Sequence, residues 1–549
     1  MLSHGCCNIY ATFFSFSVVN LLLLMSIIMS SCMIQFSAEA RGEDSWEMLV
    51  PNAGVSAMHM TLAHTNKVIM FDRTDYGPSE IRLANGFCRR DPRDLALQVD
   101  CWAHSIELDL ATNRVRPLTV LTDTWCSSGA WQAGGTLTQT GGWNDGGNTV
   151  RTIGAGGNDD WREYPNALAK ARWYASNQLL PDQRVIVIGG RRQFNYEFVP
   201  RGREGSIELP FLAETNDPGA ENNLYPFVHL SPDGNLFIFA NKDSILFNYN
   251  RNQVVRRYPR LPGGSRNYPA SGSSVLLPLS AASRYTRAEV LVCGGAPEGS
   301  FLATYRQEFL PAEQTCGRLV ITDANPNWLV VKMPSPRVMG DMLILPTAEV
   351  LIINGASQGT AGWGLGRQPN LAPVLFTPVN NRFQVMSETG IPRLYHSTAN
   401  VLPDGSILVG GSNPNFGYTF KGTLFPTNLS IQRYNPYYLN KGYDGRRPHI
   451  TAISNVNLEY GTTFTVTFQT AQAPNGVAFH LYAPPFTTHT YSMNQRMLVL
   501  GSNAPVRVGR SYVSRVYAPP NAVTAPSAYH LLTVVNQGTP SASAWVHIG

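Results

Sequence analysis

Residues 392–412 read PRLYHSTANVLPDGSILVGGS, in which two β-like runs flank a Pro-Asp-Gly turn and a Gly-Gly pair ends the second run. An Asp-Gly pair between two such runs indicates a β-hairpin. A short apolar run of this kind, often opened by a turn and often closed by Gly-Gly, recurs along the chain. The copies lie at residues 65–72, 134–142, 181–190, 232–241, 288–295, 348–356 and 403–412.

This repetition predicts the fold of most of the chain. The copies are mostly about 50–60 residues apart, close to the kelch period, and such self-similarity is typical of a propeller or a solenoid. Each copy would belong to a four-stranded blade, and circular closure would remove the exposed sheet edges. The sequence therefore predicts an all-β protein with a seven-bladed, kelch-like β-propeller over residues 41–445. The alternative is an irregular array of β-sandwiches with coincidental Gly-Gly pairs.

The repeat ends after Ser412, and the sequence changes character from about Arg446. The last part consists of short alternating strands, beginning with HITAISNVNLEYGTTFTVTFQT at residues 449–470. A segment of about 100 residues with this pattern is typical of an immunoglobulin-like β-sandwich. The sequence predicts such a domain over residues 446–549.

Composition excludes several classes of protein. Of the 549 residues only 14% are charged, while Gly 48 and Pro 38 are abundant, which favours a β-protein with many tight connections. Long charge runs and basic-aromatic patches are lacking, so nucleic acid is not an expected partner. Zinc-ligand spacing and a nucleophile elbow are lacking as well.

The N-terminus indicates export. Residues 11–29 are almost wholly apolar, and Ala38 and Ala40 form an A-x-A cleavage pattern, which predicts a signal peptide over residues 1–40. The segment contains no Lys or Arg and its apolar run is long, so an uncleaved anchor is the alternative. Either interpretation places the rest of the chain outside the cytoplasm, with no membrane contact once the signal is cleaved. The formal net charge of +5 favours the neighbourhood of acidic cell-wall polysaccharide.

An odd number of cysteines follows the predicted signal. They are Cys88, Cys101, Cys126, Cys293 and Cys316. Sequence proximity favours disulfides between the first two and between the last two, although proximity does not prove connectivity. Cys126 is then left over. Asn428, in Asn-Leu-Ser, is a possible glycan acceptor.

Four segments resemble the galactose oxidase and glyoxal oxidase family of copper radical oxidases. The resemblance is closest to the plant glyoxal oxidase-type aldehyde oxidases and covers nearly the whole chain after the signal. The four segments are DTWCSSGAWQAGGTLTQTGG (123–142), RWYASNQLLPDQRVIVIGG (172–190), PRLYHSTANVLPDGSILVGGS (392–412) and TTHTYSMNQRMLVL (487–500).

The resemblance implies a role for five residues. Tyr395 would be the axial copper ligand and base, and His396 and His489 would be further ligands. Tyr174 would be the equatorial tyrosine, joined by a thioether to Cys126. Two imidazoles and two phenolates form a nitrogen and oxygen set that suits Cu(II), and a thioether would use the one unpaired sulfur. Adjacent side chains on a strand point to opposite faces, so Tyr395 and His396 are expected in non-strand geometry.

The resemblance also implies a reaction. The protein would be a secreted copper radical oxidase that uses O₂ and water to convert small aldehydes, such as glyoxal or methylglyoxal, to carboxylic acids and H₂O₂. The alternatives are a primary-alcohol or galactose-type oxidase with the same centre and a non-catalytic cell-wall-binding propeller.

One departure from the family concerns the residue that shields the radical. Galactose oxidase has a tryptophan two residues after the Gly-Gly of this repeat, where this chain has Arg192. Phe194 or Tyr196, or a tryptophan of another blade such as Trp125 or Trp143, are candidates to cover the tyrosine ring.

Overall fold

Strands account for nearly all of the regular structure in the computed structural model, which describes residues 43–549. The all-β prediction is confirmed, whereas the predicted signal peptide lies outside the described residues. Within residues 43–549, helices are limited to single turns. The α-helical turns are Pro210–Glu214 and Ser300–Thr304, and the 3₁₀ turns are Ala84–Gly86, Asn144–Gly146, Ala281–Ser283, Tyr437–Leu439 and Lys441–Tyr443.

The apolar runs of the sequence repeat form the second strands of seven different antiparallel sheets. We number these sheets 1 to 7 in chain order and give their strands from first to last. Sheet 1 contains His59–Leu62, Lys67–Phe71, Ser105–Asp109 and Val115–Leu118; sheet 2 contains Ser128–Trp131, Thr136–Thr140, Val150–Gly154 and Arg162–Tyr164. Sheet 3 contains Ala175–Leu179, Val185–Gly189, Asn195–Val199 and Ile207–Glu208; sheet 4 contains Phe227–Leu230, Leu236–Ala240, Asp243–Asn248 and Gln253–Arg257.

The remaining sheets of the repeat follow the same order. Sheet 5 contains Ser273–Leu276, Glu289–Cys293, Thr315–Val320 and Leu329–Lys332; sheet 6 contains Asp341–Ile344, Val350–Ile353, Val374–Thr377 and Arg382–Val385. Sheet 7 contains Ser397–Val401, Ile407–Gly411 and Ile431–Asn435, and its outer strand is Ser45–Val50. The first described strand thus pairs with the last strand of the repeat, which joins distant parts of the chain in one sheet.

The second strands are apolar because both of their faces are covered. Every residue of Val185–Gly189 and Leu236–Ala240 is buried, which explains continuous apolar runs in place of an alternating pattern. The first strands of sheets 2 to 7 lie side by side in chain order, and that of sheet 7 lies beside that of sheet 1.

A hairpin from the C-terminal region completes this arrangement. Its strands, Phe486–Thr488 and Tyr491–Met493, add to the edge of sheet 1 at His59–Leu62. Together they contact the first strand of every one of the seven sheets. Tyr491 illustrates how the hairpin is held, since its hydroxyl bonds the backbone of Val228 in sheet 4 at 2.6 Å.

Buried arginines hold the turns before several first strands. Arg172, Arg266 and Arg393 each donate to the carbonyl of a Gly-Gly glycine in their own sheet, at 2.8, 2.6 and 2.7 Å. Burial lowers the pKa of Arg393 to about 9, and the two terminal nitrogens of its guanidinium donate to carbonyl and side-chain oxygens, none of which belongs to a carboxylate. The Gly-Gly pairs also bond the next sheet, as in Gly142 N–H to the Arg172 carbonyl at 3.1 Å.

Two further sheets form the C-terminal region. The larger sheet contains, from edge to edge, Leu279–Ser280, Arg496–Leu500, Ala478–Ala483, Ala528–Asn536, Ala544–Ile548 and Asn457–Leu458, and the short strand Thr539–Pro540 pairs with Ala528–Asn536. The smaller sheet contains His449–Ile453, Thr463–Gln469, Ser511–Tyr517 and Val506–Val508. Phe468 of the smaller sheet and Phe479 of the larger lie in one buried cluster, so the sheets enclose a shared core. Two short ladders pair Arg89–Arg90 with Val99–Asp100 and Ala356–Gly359 with Gly366–Pro369.

The structure contains two disulfides, Cys88–Cys101 and Cys293–Cys316. Cys126 is the free cysteine of residues 43–549, and it is buried. The side-chain oxygen of Asn428 accepts from Arg393 at 3.1 Å. Its glycosylation stays a prediction. Within the part of the chain that the structure describes, no helix has the length and apolar character needed to cross a membrane.

The Gly-Gly geometry generates a stability test. Gly411 has φ +77° and an added Cβ would overlap the carbonyl oxygens of His396 and Ala57, so Gly411→Ala should lower the free energy of unfolding by about 3 kcal/mol or more. Gly364 has φ +69° and open space around it, so Gly364→Ala should cost only about 1–2 kcal/mol. Denaturant unfolding measures both, and equal losses would contradict the steric argument.

Candidate metal centre

The residues of the predicted centre share an unusual backbone conformation. Cys126, Tyr174, His396 and His489 have φ values of 54°, 66°, 62° and 45°, in the left-handed region that non-glycine residues rarely adopt. The first three lie one or two residues before the first strands of sheets 2, 3 and 7. A left-handed residue breaks the alternation of side chains that a strand imposes.

This conformation explains how adjacent residues reach one place. The rings of Tyr395 and His396 are stacked, with centroids 3.8 Å apart. The non-strand geometry expected for this pair is therefore present. Residues held in such sparsely populated conformations are typical of functional sites.

His489 approaches from the C-terminal region. It occupies the turn of the inserted hairpin, between Phe486–Thr488 and Tyr491–Met493. Its Nδ1 lies 2.7 Å from the Thr488 hydroxyl, and its Nε2 lies 3.2 Å from the Cys126 sulfur. The hydroxyl of Thr490, the other turn residue, donates to the carbonyl of Gly272 at 2.6 Å, which fixes the turn against sheet 5.

The side chains of the predicted centre, including the thioether partner Cys126, lie close together in the structure. Donor atoms of Cys126, His396 and His489 all lie within 4.8 Å of one another. The ring centroid of His489 is 5.9 Å from that of Tyr174 and 5.7 Å from that of Tyr395. Nε2 of His396 is buried and has no hydrogen-bond partner, which leaves a nitrogen lone pair or N–H open toward a ligand.

Burial sets the protonation of these groups. It lowers the pKa of His396 and His489 well below the ordinary value, so both imidazoles are neutral and able to bind a metal. It raises the pKa of the Tyr174 and Tyr395 phenols well above the ordinary value. These tyrosines therefore become phenolates only beside a strong cation, as a bound metal supplies.

The same burial affects the sulfur. Burial raises the pKa of the Cys126 thiol well above its ordinary value. Cys126 and Tyr174 are also linked through the backbone, since the Tyr174 N–H donates to the Cys126 carbonyl at 2.9 Å. A neutral, buried thiol beside a tyrosine fits a cross-linking partner better than a thiolate ligand.

These donors fit copper. Two neutral imidazole nitrogens and two phenol oxygens in a water-poor site provide the nitrogen and oxygen set that Cu(II) prefers. Sulfur with two imidazoles alone would suit zinc, but zinc chemistry gives no reason for two convergent tyrosines.

Comparison with known proteins identifies the family. Residues 58–438 match the family model described as glyoxal oxidase N-terminus, and residues 447–548 match the galactose oxidase-like Early set domain. The chain belongs to the glyoxal oxidase family. It is 43% identical over 514 residues to aldehyde oxidase GLOX of Vitis pseudoreticulata, covering 92% of this chain and 97% of that protein. It is 44% identical over 519 residues to aldehyde oxidase GLOX1 of Arabidopsis thaliana, covering 92% and 84%.

A solved structure shares the fold of this glyoxal oxidase family member. It is described as a novel fungal alcohol oxidase with catalytic diversity among the AA5 family, in complex with copper. The TM-score is 0.69 at 17% sequence identity, and the match covers 92% of this chain and 99% of that one. The shared architecture includes the C-terminal domain.

The residues that cover the Tyr174 ring differ from those expected. Tyr268 stacks on it at a centroid distance of 4.4 Å, and Trp173 lies against it at 4.7 Å. Trp125 and Trp143 contact Trp173, at 5.0 and 4.1 Å, and so form a second layer. A tryptophan shield is thus present, but its innermost member is the residue next to Tyr174 in sequence.

The other two candidates for the shield lie elsewhere. Tyr196, in the strand Asn195–Val199, lies in a separate apolar cluster between sheets 3 and 4, and Phe194, just before that strand, packs against the same cluster. The Arg192 side chain is 81% exposed, so it does not cover the ring.

A sequence signal for Tyr268 existed. The triplets RWY, RNY and RLY place Tyr174, Tyr268 and Tyr395 two residues after Arg172, Arg266 and Arg393, the arginines that bond the Gly-Gly carbonyls. The repeat therefore carries an Arg-x-Tyr motif before sheets 3, 5 and 7.

Metal binding tests this assignment. His489→Ala should weaken Cu(II) binding by at least about 100-fold because it removes one of four protein donors and leaves the phenols unpaired with a cation. His229→Ala is the matched control, since His229 is equally buried, at 6%, and lies outside the centre. Equilibrium dialysis of metal-free protein measures both. Equal copper affinity in His489→Ala and wild type would show that His489 is not a ligand.

Proposed function

We propose that this protein is a secreted copper radical oxidase that converts small aldehydes, through their hydrates, to carboxylic acids while reducing O₂ to H₂O₂. The observation that carries the proposal is the convergence of two tyrosines, two neutral histidines and a free cysteine in one buried cluster. The names of the relatives from Vitis and Arabidopsis support an aldehyde as the substrate.

The ligands we assign to copper are Tyr174, Tyr395, His396 and His489. Bound copper would supply one of the two one-electron acceptors that the oxidation needs and would pass electrons to O₂. The neutral imidazoles are ready to donate their nitrogens, while both phenols must release a proton on binding.

The remaining steps belong to side chains of the protein. The Tyr395 phenolate takes the proton from a substrate hydroxyl, acting as general base. The Tyr174 ring, as a radical, takes the hydrogen atom from the hydrated carbon. The hydrate thereby loses two protons and two electrons to become the acid, and O₂ gains the same to become H₂O₂. Burial of Tyr174 and its aromatic cover keep water from the radical.

A thioether between Cys126 and Tyr174 is part of this proposal. Both residues precede first strands of neighbouring sheets, and their backbones are hydrogen-bonded. Sulfur on the ring donates electron density, which makes the phenol easier to oxidise. The cofactor would thus consist of bound copper and a cross-linked pair of side chains of the protein itself.

The fold and the location complete the proposal. We assign the seven sheets, over residues 41–445, to the blades of one propeller with the hairpin of His489 in its axis, and residues 446–549 to an immunoglobulin-like domain. The seven first strands around one hairpin support this assignment. Cleavage after Ala40, a glycan on Asn428 and contact with cell-wall polysaccharide are proposed from the sequence alone.

A peroxide-coupled assay tests the function. The purified, copper-loaded protein should release H₂O₂ from methylglyoxal and glyoxal, and much less from galactose or simple primary alcohols. Turnover of alcohols without turnover of aldehydes would instead assign the protein as an alcohol oxidase. Absence of peroxide with every substrate would favour a binding protein.

Mass spectrometry tests the cross-link. Protein matured with copper in air should yield a joined pair of Cys126 and Tyr174 peptides about 2 Da lighter than their sum, because bond formation removes two hydrogens. Thiol reductants should open both disulfides and leave this bond intact.

A variant of Cys126 provides the control for the cross-link. Cys126→Ala should keep the fold and bind copper, because sulfur is not a ligand. It should lose most turnover, because the Tyr174 phenol without sulfur on its ring is harder to oxidise. Complete alkylation of Cys126 in reduced, denatured and fully active wild-type protein would exclude the thioether.

A further inference from the structure

A third tyrosine lies inside the candidate centre. The Tyr174 hydroxyl donates to the Tyr268 hydroxyl at 3.1 Å, and the Tyr268 hydroxyl lies 2.9 Å from that of Tyr395. The His489 ring is 5.7 Å from the Tyr268 ring, the same distance as from the Tyr395 ring. Tyr268 therefore connects the two proposed tyrosine ligands by hydrogen bonds, although it is assigned neither as a copper ligand nor as the general base.

The backbone holds Tyr268 as firmly as the other two tyrosines. Arg266, two residues earlier, donates to the Gly294 carbonyl at 2.6 Å, and the Tyr268 N–H donates to the Leu224 carbonyl at 3.2 Å. The ring stacks on Tyr174 with an angle of 29° between the planes. Part of Tyr268 remains exposed, so it can meet a molecule that enters from solvent.

The substrate class gives this hydroxyl a use. An aldehyde hydrate has two hydroxyls on the reacting carbon, whereas a primary alcohol has one. The hydroxyl that gives its proton to Tyr395 must lie within hydrogen-bond range of that residue. Because both hydrate oxygens share one carbon, the second then lies within reach of a hydroxyl adjacent to Tyr395.

We infer that Tyr268 recognises substrate, and that its hydroxyl binds the second hydroxyl of an aldehyde hydrate. This inference rests on the proposed function. An alcohol would leave the Tyr268 hydroxyl without that partner, and sites built to bond a substrate hydroxyl discriminate against analogues that lack it. Tyr268 would thus direct the centre toward aldehydes.

The test compares full-length wild-type protein with the variant Tyr268→Phe, which lacks the Tyr268 hydroxyl. In Tyr268→Phe the ring stacked on Tyr174 is retained. Its kcat/KM for methylglyoxal should fall about tenfold or more, while that for hydroxyacetone, the alcohol with the same carbon chain, should change less than about threefold. Tyr225→Phe is the matched control: its ring lies 5.2 Å from that of His489, and its hydroxyl donates to the Ser127 carbonyl, away from Tyr395.

A binding measurement separates recognition from turnover. Trifluoroacetone is a hydrate in water and has no hydrogen on the hydrated carbon, so it can bind without reacting. Calorimetry on the copper-loaded proteins should give a Kd about tenfold higher for Tyr268→Phe than for wild type or Tyr225→Phe.

Three outcomes would overturn the inference. They are an unchanged Kd for trifluoroacetone, equal losses of kcat/KM for methylglyoxal and hydroxyacetone, and loss of copper or of the Cys126–Tyr174 bond in Tyr268→Phe. The last two would assign Tyr268 a purely positioning role. If wild-type protein oxidises no aldehyde, the proposed function fails, and the trifluoroacetone Kd still decides whether Tyr268 binds a hydrate.

Discussion

Buried guanidinium groups bound to Gly-Gly carbonyls hold the candidate centre in place. A buried charge is costly unless it is hydrogen-bonded, and the two terminal nitrogens of Arg393 donate to oxygens of Gly411, Ser430 and Gln432. Such an arginine fixes the turn that precedes its strand. Because a tyrosine lies two residues later in three of these turns, the same contact that secures a sheet also aims a phenol.

The strained backbone conformations of the centre persist only because the surrounding turns and sheets hold them. Left-handed conformations at Cys126, Tyr174, His396 and His489 cost free energy, and they persist where the surroundings leave no alternative. Hydrogen bonds from neighbouring sheets provide this constraint, as when the Tyr174 N–H before sheet 3 donates to the Cys126 carbonyl before sheet 2 at 2.9 Å. The centre is thereby preorganised before any ligand arrives.

The C-terminal region is a structural part of the centre. It supplies the hairpin that contacts the first strand of each of the seven sheets, and the turn of that hairpin carries His489. The hydroxyls of Thr488 and Thr490 tie the turn to Met58 and Gly272, in two different parts of the repeat. Removing the hairpin would take away both a donor and the packing among the sheets.

The sequence by itself determined the all-β class and the seven repeated strand pairs, and it predicted the residues that we assign to the centre, because strand runs, Gly-Gly pairs and family motifs are local patterns. The disulfide pairing could also be predicted, since the partners are near each other in sequence. Only the tertiary structure decided what lies around Tyr174. Trp173 covers it through a local turn, whereas Tyr268 arrives from another sheet, 94 residues away. Such contacts depend on how repeats are arranged in space, and no local pattern records that distance.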